Sequence, residues 1–250
     1  MGQSMEGRNI KLLIAYDGTD FCGWQRQDNS RTVQGAIEDA LEKMHGSPVT
    51  LTGSGRTDSG VHAAGQVANF YTTIDSIAAD RFAPALNSLL SKDVSILDAC
   101  EAESGFHARF SARARTYRYH FLCRPALPHE NRYNLQLYRF PRIETLNAYG
   151  RLILGETDCS IFAASSDTSK SKHRYVYNAQ FYIEGDRLIF EITANAFLRS
   201  MVRSVAGTFL HYEEKDTPPE TLREIIAKGE RGLAGPTLPP QGLFLWKVDY

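Results

Sequence analysis

Gly55-Arg56-Thr57-Asp58-Ser59-Gly60-Val61-His62-Ala63 is the stretch on which the reading of the fold turns. It is a glycine-hinged loop with one acid, Asp58, among cationic and hydroxyl neighbours. Glycines at 53, 55 and 60 reach backbone angles that a β-carbon forbids, so main chain can come close to a ligand. Arg56 and His62 would flank Asp58 with positive or proton-donating groups, which favour an ionised, nucleophilic carboxylate. The other reading of such a loop is a tight turn with an Asx-type hydrogen bond and a surface Arg-Asp pair. A phosphate-cradling loop is excluded, because the Lys-Ser or Lys-Thr that closes one is absent.

Working outward, residues 10–16 read as a buried strand that ends at the turn Asp17-Gly18. Val33, Ile37, Ala40, Leu41 and Met44 give residues 32–44 helical periodicity, with Thr32 as N-cap. A strand from Val49 leads into the loop. Residues 66–72 form a second strand, 77–90 a helix and 94–100 a third strand, which is the β-α-β-β-α-β order of a ferredoxin-like unit. The second half repeats this weakly: strand 116–123, helix 143–154, strands 174–184 and 187–193 joined at Gly185-Asp186, helix 196–211 and closing strand 243–249. A short helix follows Pro218-Pro219, and residues 229–242 are a loop. The fold class is therefore α+β, with two ferredoxin-like units over residues 8–104 and 105–250 whose sheet surfaces are able to form one central cleft.

With 250 residues, 42% hydrophobic and 23% charged, the chain can bury a sizeable core. The first nine residues lack the apolar centre of a signal peptide, and no stretch approaches the roughly 18 apolar residues of a membrane span, so a cytoplasmic protein is expected. Cys22, Cys100, Cys123 and Cys159 include no C-x-x-C pair and no His-x-Glu partner, so reduced thiols and no metal are expected. A net charge of -1 conceals an uneven distribution. Between Phe106 and Arg142, eight arginines (109, 113, 115, 118, 124, 132, 139 and 142) face one acid, Glu130, so this segment carries +7 and the remainder -8. A concentrated basic face suits a polyanionic partner.

Strand alternation puts Arg115, Tyr117 and Tyr119 on one face and Thr116, Arg118 and His120 on the other. Such a face is either a half-buried sheet surface or a platform on which an unpaired base stacks. On the helix from residue 196, Phe197, Met201, Val205 and Thr208 or Phe209 form the core stripe. Arg199 and Arg203, four apart, share another face, where they are either solvated or hold an anion such as a buried carboxylate. Ser165-Ser166-Asp167-Thr168-Ser169-Lys170-Ser171-Lys172-His173-Arg174 reads as a mobile loop with hydroxyl and cationic donors, or as a solvated turn. Tyr133, Leu135, Leu137, Tyr138 and Phe140 form an apolar and aromatic patch that is either core strand or interface.

GRTDSGVHA closely resembles the active-site motif of the TruA family of tRNA pseudouridine synthases, usually GRTDAGVHA, with Ser59 in place of alanine. Matching blocks follow in the family's order along nearly the whole chain. Tyr16-Asp17-Gly18 with Gly23-Trp24-Gln25-Arg26-Gln27 resembles its YDGxxxxGWQxQ opening. Phe106-His107-Ala108-Arg109-Phe110 and Arg115-Thr116-Tyr117-Arg118-Tyr119 resemble its FHARF and R-x-Y-R-Y blocks. Asn195 to Arg203 is similar to its NAFLxxMVR helix, and Gly242-Leu243 to its closing G-L element. The resemblance implies the pseudouridine synthase fold and isomerisation of uridine in the anticodon stem-loop of tRNA, at positions 38 to 40.

That reaction cleaves C1′–N1 of uridine, turns the uracil, joins C5 to C1′ and releases the C5 proton. It involves no redox change, so no cofactor is expected. The resemblance implies Asp58 as nucleophile or base, Tyr117 stacked under the target base, Arg203 as the partner that orients Asp58, and Leu243 as a pocket wall. It assigns Arg56, Thr57 and His62 to substrate. To tRNA it assigns Phe106, His107, Ala108, Arg109, Phe110, Arg113, Ser166, Asp167, Thr168, Ser169, Lys170 and Arg199. Members work as homodimers that share a tRNA across subunits. Two rival readings compete with this one. A non-catalytic RNA-binding module is opposed by the missing RNP-type aromatic signature and by the acid in the cationic loop. A nucleoside glycosidase needs a second acid, and Asp58 is the one acid of the GRTDSGVHA block.

Overall fold

Alternation of buried and exposed residues makes Arg8–Tyr16 the first strand, β1, in the computed structural model, which describes residues 7–250. Thr32 then caps helix α1, Val33–His45, its hydroxyl accepting from Gly35 N. Next come the two-residue strand β2, Thr52–Gly53, the long strand β3, His62–Thr72, helix α2, Phe82–Asn87, and strand β4, Val94–Ala102. These strands are ordered β4-β1-β3-β2 and pair antiparallel, with Tyr16 opposite Ala63 on one side and Val94 on the other.

Two expected elements are shorter than the sequence suggests. The strand from Val49 is reduced to β2, because α1 side chains take the backbone of Leu51. Glu38 Oε1 accepts its N–H and Gln34 Nε2 donates to its carbonyl, both at 3.0 Å. The helix over 77–90 is a single 3₁₀ turn, Ala79–Arg81, followed by α2. Pro84, with no N–H, sits in the first turn of α2, where no intrahelical donor is needed. Asn87 ends the helix by bonding both backbone groups of Ile96 through its side chain.

The second half contains β5, Ala114–Leu122, β6, Leu135–Gln136, α3, Ile143–Leu152, β7, Gly155–Asp158, β8, His173–Glu184, β9, Arg187–Ala194, α4, Met201–Glu214, and α5, Pro219–Ala227. Its strands are ordered β5-β9-β8-β7, with β6 parallel to β5. Tyr119, Phe190 and Phe181 are in register across β5, β9 and β8 and are buried, and Phe209 of α4 packs on Phe190 and Tyr149. The last strand, β10, is Leu243–Asp249.

Contacts divide the chain into residues up to Arg113 together with Leu245–Tyr250, and Ala114–Phe244. The segment 105–113 groups with the first unit because three buried or terminal side chains hold it there. Asn9 Nδ2 donates to Phe106 O (2.9 Å), Asn69 Oδ1 accepts from Ala108 N (2.9 Å), and Tyr250 OH donates to Ala108 O (2.8 Å).

The helix expected over 196–211 begins only at Met201 and runs on to Glu214. Residues 195–200 satisfy their backbone elsewhere: Asn195 Oδ1 accepts from Tyr175 N and Ala196 N, and Asp167 Oδ2 accepts from Arg199 N. Ser200 adopts a left-handed conformation at φ 57° just before the helix. Arg199 and Arg203 therefore do not share a helix face. Among described residues no helix is long and apolar enough to cross a membrane.

Candidate functional site

In the first unit, the loop that carries Asp58 is moulded against residues 16–25. Thr57 is buried, its hydroxyl 2.8 Å from Tyr16 OH, and its carbonyl accepts from Trp24 N. Ser59 Oγ and Gly60 N both donate to Phe21 O. Gly23 has φ +88°, and a Cβ there would lie 2.7 Å from Thr57 O and 3.2 Å from the Asp58 carbonyl carbon. Only glycine allows both the angle and the approach. The YDG and GWQ blocks thus form the bed of the GRTD loop.

The loop's ends are fixed by side chains as well. Gln66, fully buried on β3, accepts from Ser54 Oγ at 2.6 Å and donates to Gly55 O at 3.0 Å. Arg56 is exposed, and its Nε donates to Gln25 Oε1 at 3.0 Å. Gln25 is in turn held by Gln34 Oε1, which also accepts from Arg26 N. His62 has no solvent exposure. Its Nδ1 accepts from Gly18 N at 3.0 Å and lies 3.2 Å from Asp17 Oδ1. Asp58 itself is half-buried at the centre of these contacts, its carbonyl accepting from Val61 N. Of the three neighbours assigned to substrate, Arg56 faces solvent, whereas Thr57 and His62 are buried and brace the loop.

The Phe106–Phe110 block makes a tight turn in the same unit. His107 Nδ1 accepts from the backbone N of Arg109 and Phe110, which leaves Phe110 77% exposed with the Arg109 guanidinium 5.7 Å from its ring centre. Phe106 packs on Tyr250, and Ala108 is fully buried. Arg113 is exposed. The Asn9-Asn69 pair anchors this turn. Both asparagines are buried, one on β1 and one on β3.

In the second unit, Tyr117 on β5 is buried edge-on against Phe197, with ring centres 5.0 Å apart. Arg203, on the first turn of α4, donates from Nε to Leu238 O at 2.6 Å, and its charge acts on the buried Tyr119 phenol. Burial raises the Tyr119 pKa far above its ordinary value, against the opposing charge of Arg203. Leu243 is buried behind Gly242, whose φ of +83° and missing Cβ let its carbonyl accept from His120 N. A Cβ there would lie 2.7 Å from His120 O.

The loop over 165–174 is less open than its composition suggests. Asp167, 5% exposed in its side chain, accepts from Ser169 N (2.9 Å), Lys172 Nζ (2.5 Å) and Arg199 N (2.8 Å). Burial alone would raise its pKa, but Lys172 and the Arg199 and Ser169 amides hold the carboxyl well below the usual range. Asp167 is therefore the internal fastening of the loop. Ser166, Thr168, Ser169 and Lys170 remain on its rim.

Four of the eight arginines in the basic segment pair with acids, and all of these acids but Glu130 lie beyond its end. Arg118 pairs with Glu191, and Arg124 with Glu130 and Asp186. Arg139 and Arg142 converge on Glu213, which has no exposed side-chain surface, and Arg142 also reaches Asp216. The charge of +7 counted along the segment thus overstates what faces a ligand, while Arg109 and Arg113 stay exposed. In the aromatic patch beside it, Tyr138 is 95% exposed and Phe140 and Tyr133 are also exposed, so these are not core residues.

A family profile described as tRNA pseudouridine synthase matches residues 12–111 and 151–250. The tRNA pseudouridine synthase A of Treponema denticola is 50% identical over 99% of this chain and 94% of its own length. That of Caldicellulosiruptor saccharolyticus is 43% identical over 97% of this chain and all of its own, and that of Brachyspira hyodysenteriae 40% identical over 97% and 98%. These relatives also span the segment with Tyr117, which lies outside the profile match. Among solved structures, a crystal structure of a Cbf5-Nop10-Gar1 complex overlaps 77% of this chain and 52% of the other at 11% identity and a TM-score of 0.29, a likeness too weak to carry an argument.

Proposed function

We propose a division of labour within a chain that belongs to the tRNA pseudouridine synthase A family. The protein is an isomerase that converts uridine to pseudouridine in tRNA. In our reading the catalytic carboxylate is Asp58. The observation that supports it is the loop itself: Ser54, Gly55, Arg56, Thr57, Ser59, Gly60 and His62 are tied down by residues 16–25 or by Gln66, so the loop can present one acid in a fixed place. As nucleophile or base, a fixed carboxylate can stabilise the electron-deficient sugar left when C1′–N1 breaks.

Tyr117 stacks the target uracil and assists loss of the C5 proton, Arg203 keeps Asp58 ionised, and Leu243 walls the base. Arg56 meets the substrate directly, while Thr57 and His62 serve it by holding the loop. The tRNA track uses Phe106, His107, Arg109, Phe110 and Arg113, with the rim of the 166–170 loop and Arg199. Ala108 and Asp167 anchor these segments from within. We read each unit as ferredoxin-like, as in the pseudouridine synthase fold, and the target as uridines 38 to 40. The working form is a cytoplasmic homodimer, for which the exposed Tyr133, Tyr138 and Phe140 supply apolar surface.

Tritium release from C5-labelled uridine in tRNA tests the reaction, and site mapping of the product tests the positions. Exchange without free uracil is expected. Free uracil would indicate a glycosidase, and tight tRNA binding with no exchange would indicate a binding module. Light scattering should give about twice the 28.0 kDa chain mass.

A further inference from the structure

The YDG and GWQ blocks line the catalytic loop, yet packing alone does not account for one of their groups, the hydroxyl of Tyr16. The body of Tyr16 is buried at the end of β1, tilted against Trp24 with ring centres 6.0 Å apart. Phenylalanine would fill the same space. The hydroxyl instead meets Thr57 Oγ1 at 2.8 Å in a buried pair, one residue before Asp58. Thr57 is β-branched, so its rotamer is stiff and a bond at Oγ1 fixes its backbone as well. Its carbonyl is bound to Trp24 N, so both polar groups on that side of Asp58 are anchored. Tyr16 is held between Ala63 and Val94 of the strands on either side of β1.

We propose that Tyr16 is a positioning residue for the isomerisation, acting through Thr57 to set the placement of the Asp58 carboxylate. The proposal rests on the reading of Asp58 as the catalytic acid. A carboxylate that must reach one atom of a nucleotide loses rate steeply when displaced, by about a hundredfold for 1 Å, whereas tRNA affinity rests on remote phosphate contacts. Losing the Tyr16 hydroxyl therefore acts on kcat and spares KM.

The test is steady-state tritium release by Tyr16→Phe, Thr57→Val, the double variant and Thr57→Ser, with tRNA affinity measured by filter binding. Tyr16→Phe and Thr57→Val should each lower kcat about tenfold with KM within about twofold. The double variant should lose no more than either single change, because both break one pair. Thr57→Ser, which keeps the hydroxyl, should approach the parent rate. Tyr212→Phe, which removes a hydroxyl bonded to Leu233 O in the other unit, is the control for general loss of a tyrosine hydroxyl bond and should leave the rate unchanged. Should Tyr16→Phe fail to fold, as judged by melting and lost tRNA affinity, the contrast between Thr57→Val and Thr57→Ser carries the test. An unchanged kcat in Tyr16→Phe, losses that multiply in the double variant, or equal losses in Thr57→Val and Thr57→Ser would each overturn the proposal. Turnover by Asp58→Asn would instead remove the premise, so the two failures are distinguishable.

Discussion

Two loops of this chain place one aspartate among cations and hydroxyls, and they are fastened in opposite ways. In the loop around Asp58, the neighbours are the fastenings: Thr57 to Tyr16, Ser59 and Gly60 to Phe21, Arg56 to Gln25. In the loop over 164–172, the acid is the fastening, with Asp167 gathering Ser169 N, Lys172 Nζ and Arg199 N. A carboxylate that closes its own loop is spent on structure. One whose loop is fastened by its neighbours is placed by them. Sequence composition does not separate the two cases, because the difference lies in where the hydrogen bonds end.

The sharpest way to break this comparison is to remove one charge from each loop at constant volume. Asp58→Asn should reduce turnover to about 1% of the parent or less, with tRNA affinity within about tenfold and an unchanged melting temperature. Asp167→Asn should do the reverse, keeping measurable turnover while exposing residues 164–172 to limited proteolysis and weakening tRNA binding through the released Arg199 segment. If both variants lose turnover equally with intact stability, the division between chemical and structural acid fails.

A second structural acid extends the comparison. Glu213 is buried beneath Arg139 and Arg142, and although burial by itself would raise its pKa, the two guanidiniums and the Arg142 amide pull it below the ordinary carboxylate range. A carboxyl whose folded pKa is depressed stabilises the fold above its unfolded pKa, about 4.3 for Glu, and that contribution disappears as pH falls toward the folded value. Glu213→Gln should therefore cost about 2–3 kcal/mol at neutral pH, discounted for the half-exposed arginines. The difference from the parent should shrink below about pH 4. Chemical denaturation at pH 7 and at pH 3 checks both parts. A pH-independent difference would show that Glu213 contributes through packing and not through its charge.

Much of this molecule was legible in its sequence because apolar periodicity and glycine placement are local properties. The alternation of β1, the Thr32 cap and the hairpin turn at Gly185-Asp186 follow from a few adjacent residues. What escaped depends on partners remote in sequence. Periodicity starts α4 five residues early, because nothing within 196–200 shows that the remote Asp167 takes the Arg199 amide. Counted along the sequence alone, the arginine segment is a basic face, because Asp186, Glu191, Glu213 and Asp216 lie beyond its end. Among the site residues, Asp58 and Arg56 stood out by chemistry. Gln34, Gln66, Asn9 and Asn69, which hold the site in place, looked like ordinary polar residues in apolar runs.

The smallest expected effect separates the two kinds of arginine. Arg109 and Arg113 lie in the first unit on the exposed Phe106–Phe110 turn and its tail, whereas Arg124 is bound to Glu130 and Asp186, and its guanidinium helps draw the Glu130 carboxyl down to about 2. A guanidinium that contacts phosphate releases counterions on binding, and each such contact contributes a slope of roughly 0.7–0.9 in log K against log salt. One already paired with carboxylates contributes little. Arg109→Ala and Arg113→Ala should each weaken tRNA binding several-fold at low salt and flatten the slope by about one contact, while Arg124→Ala should leave the slope as it was. Filter binding across a salt series reads this directly. A flattened slope in Arg124→Ala, with none in the other two, would move the tRNA track off the Phe106–Phe110 turn and onto the ion-paired surface of the second unit.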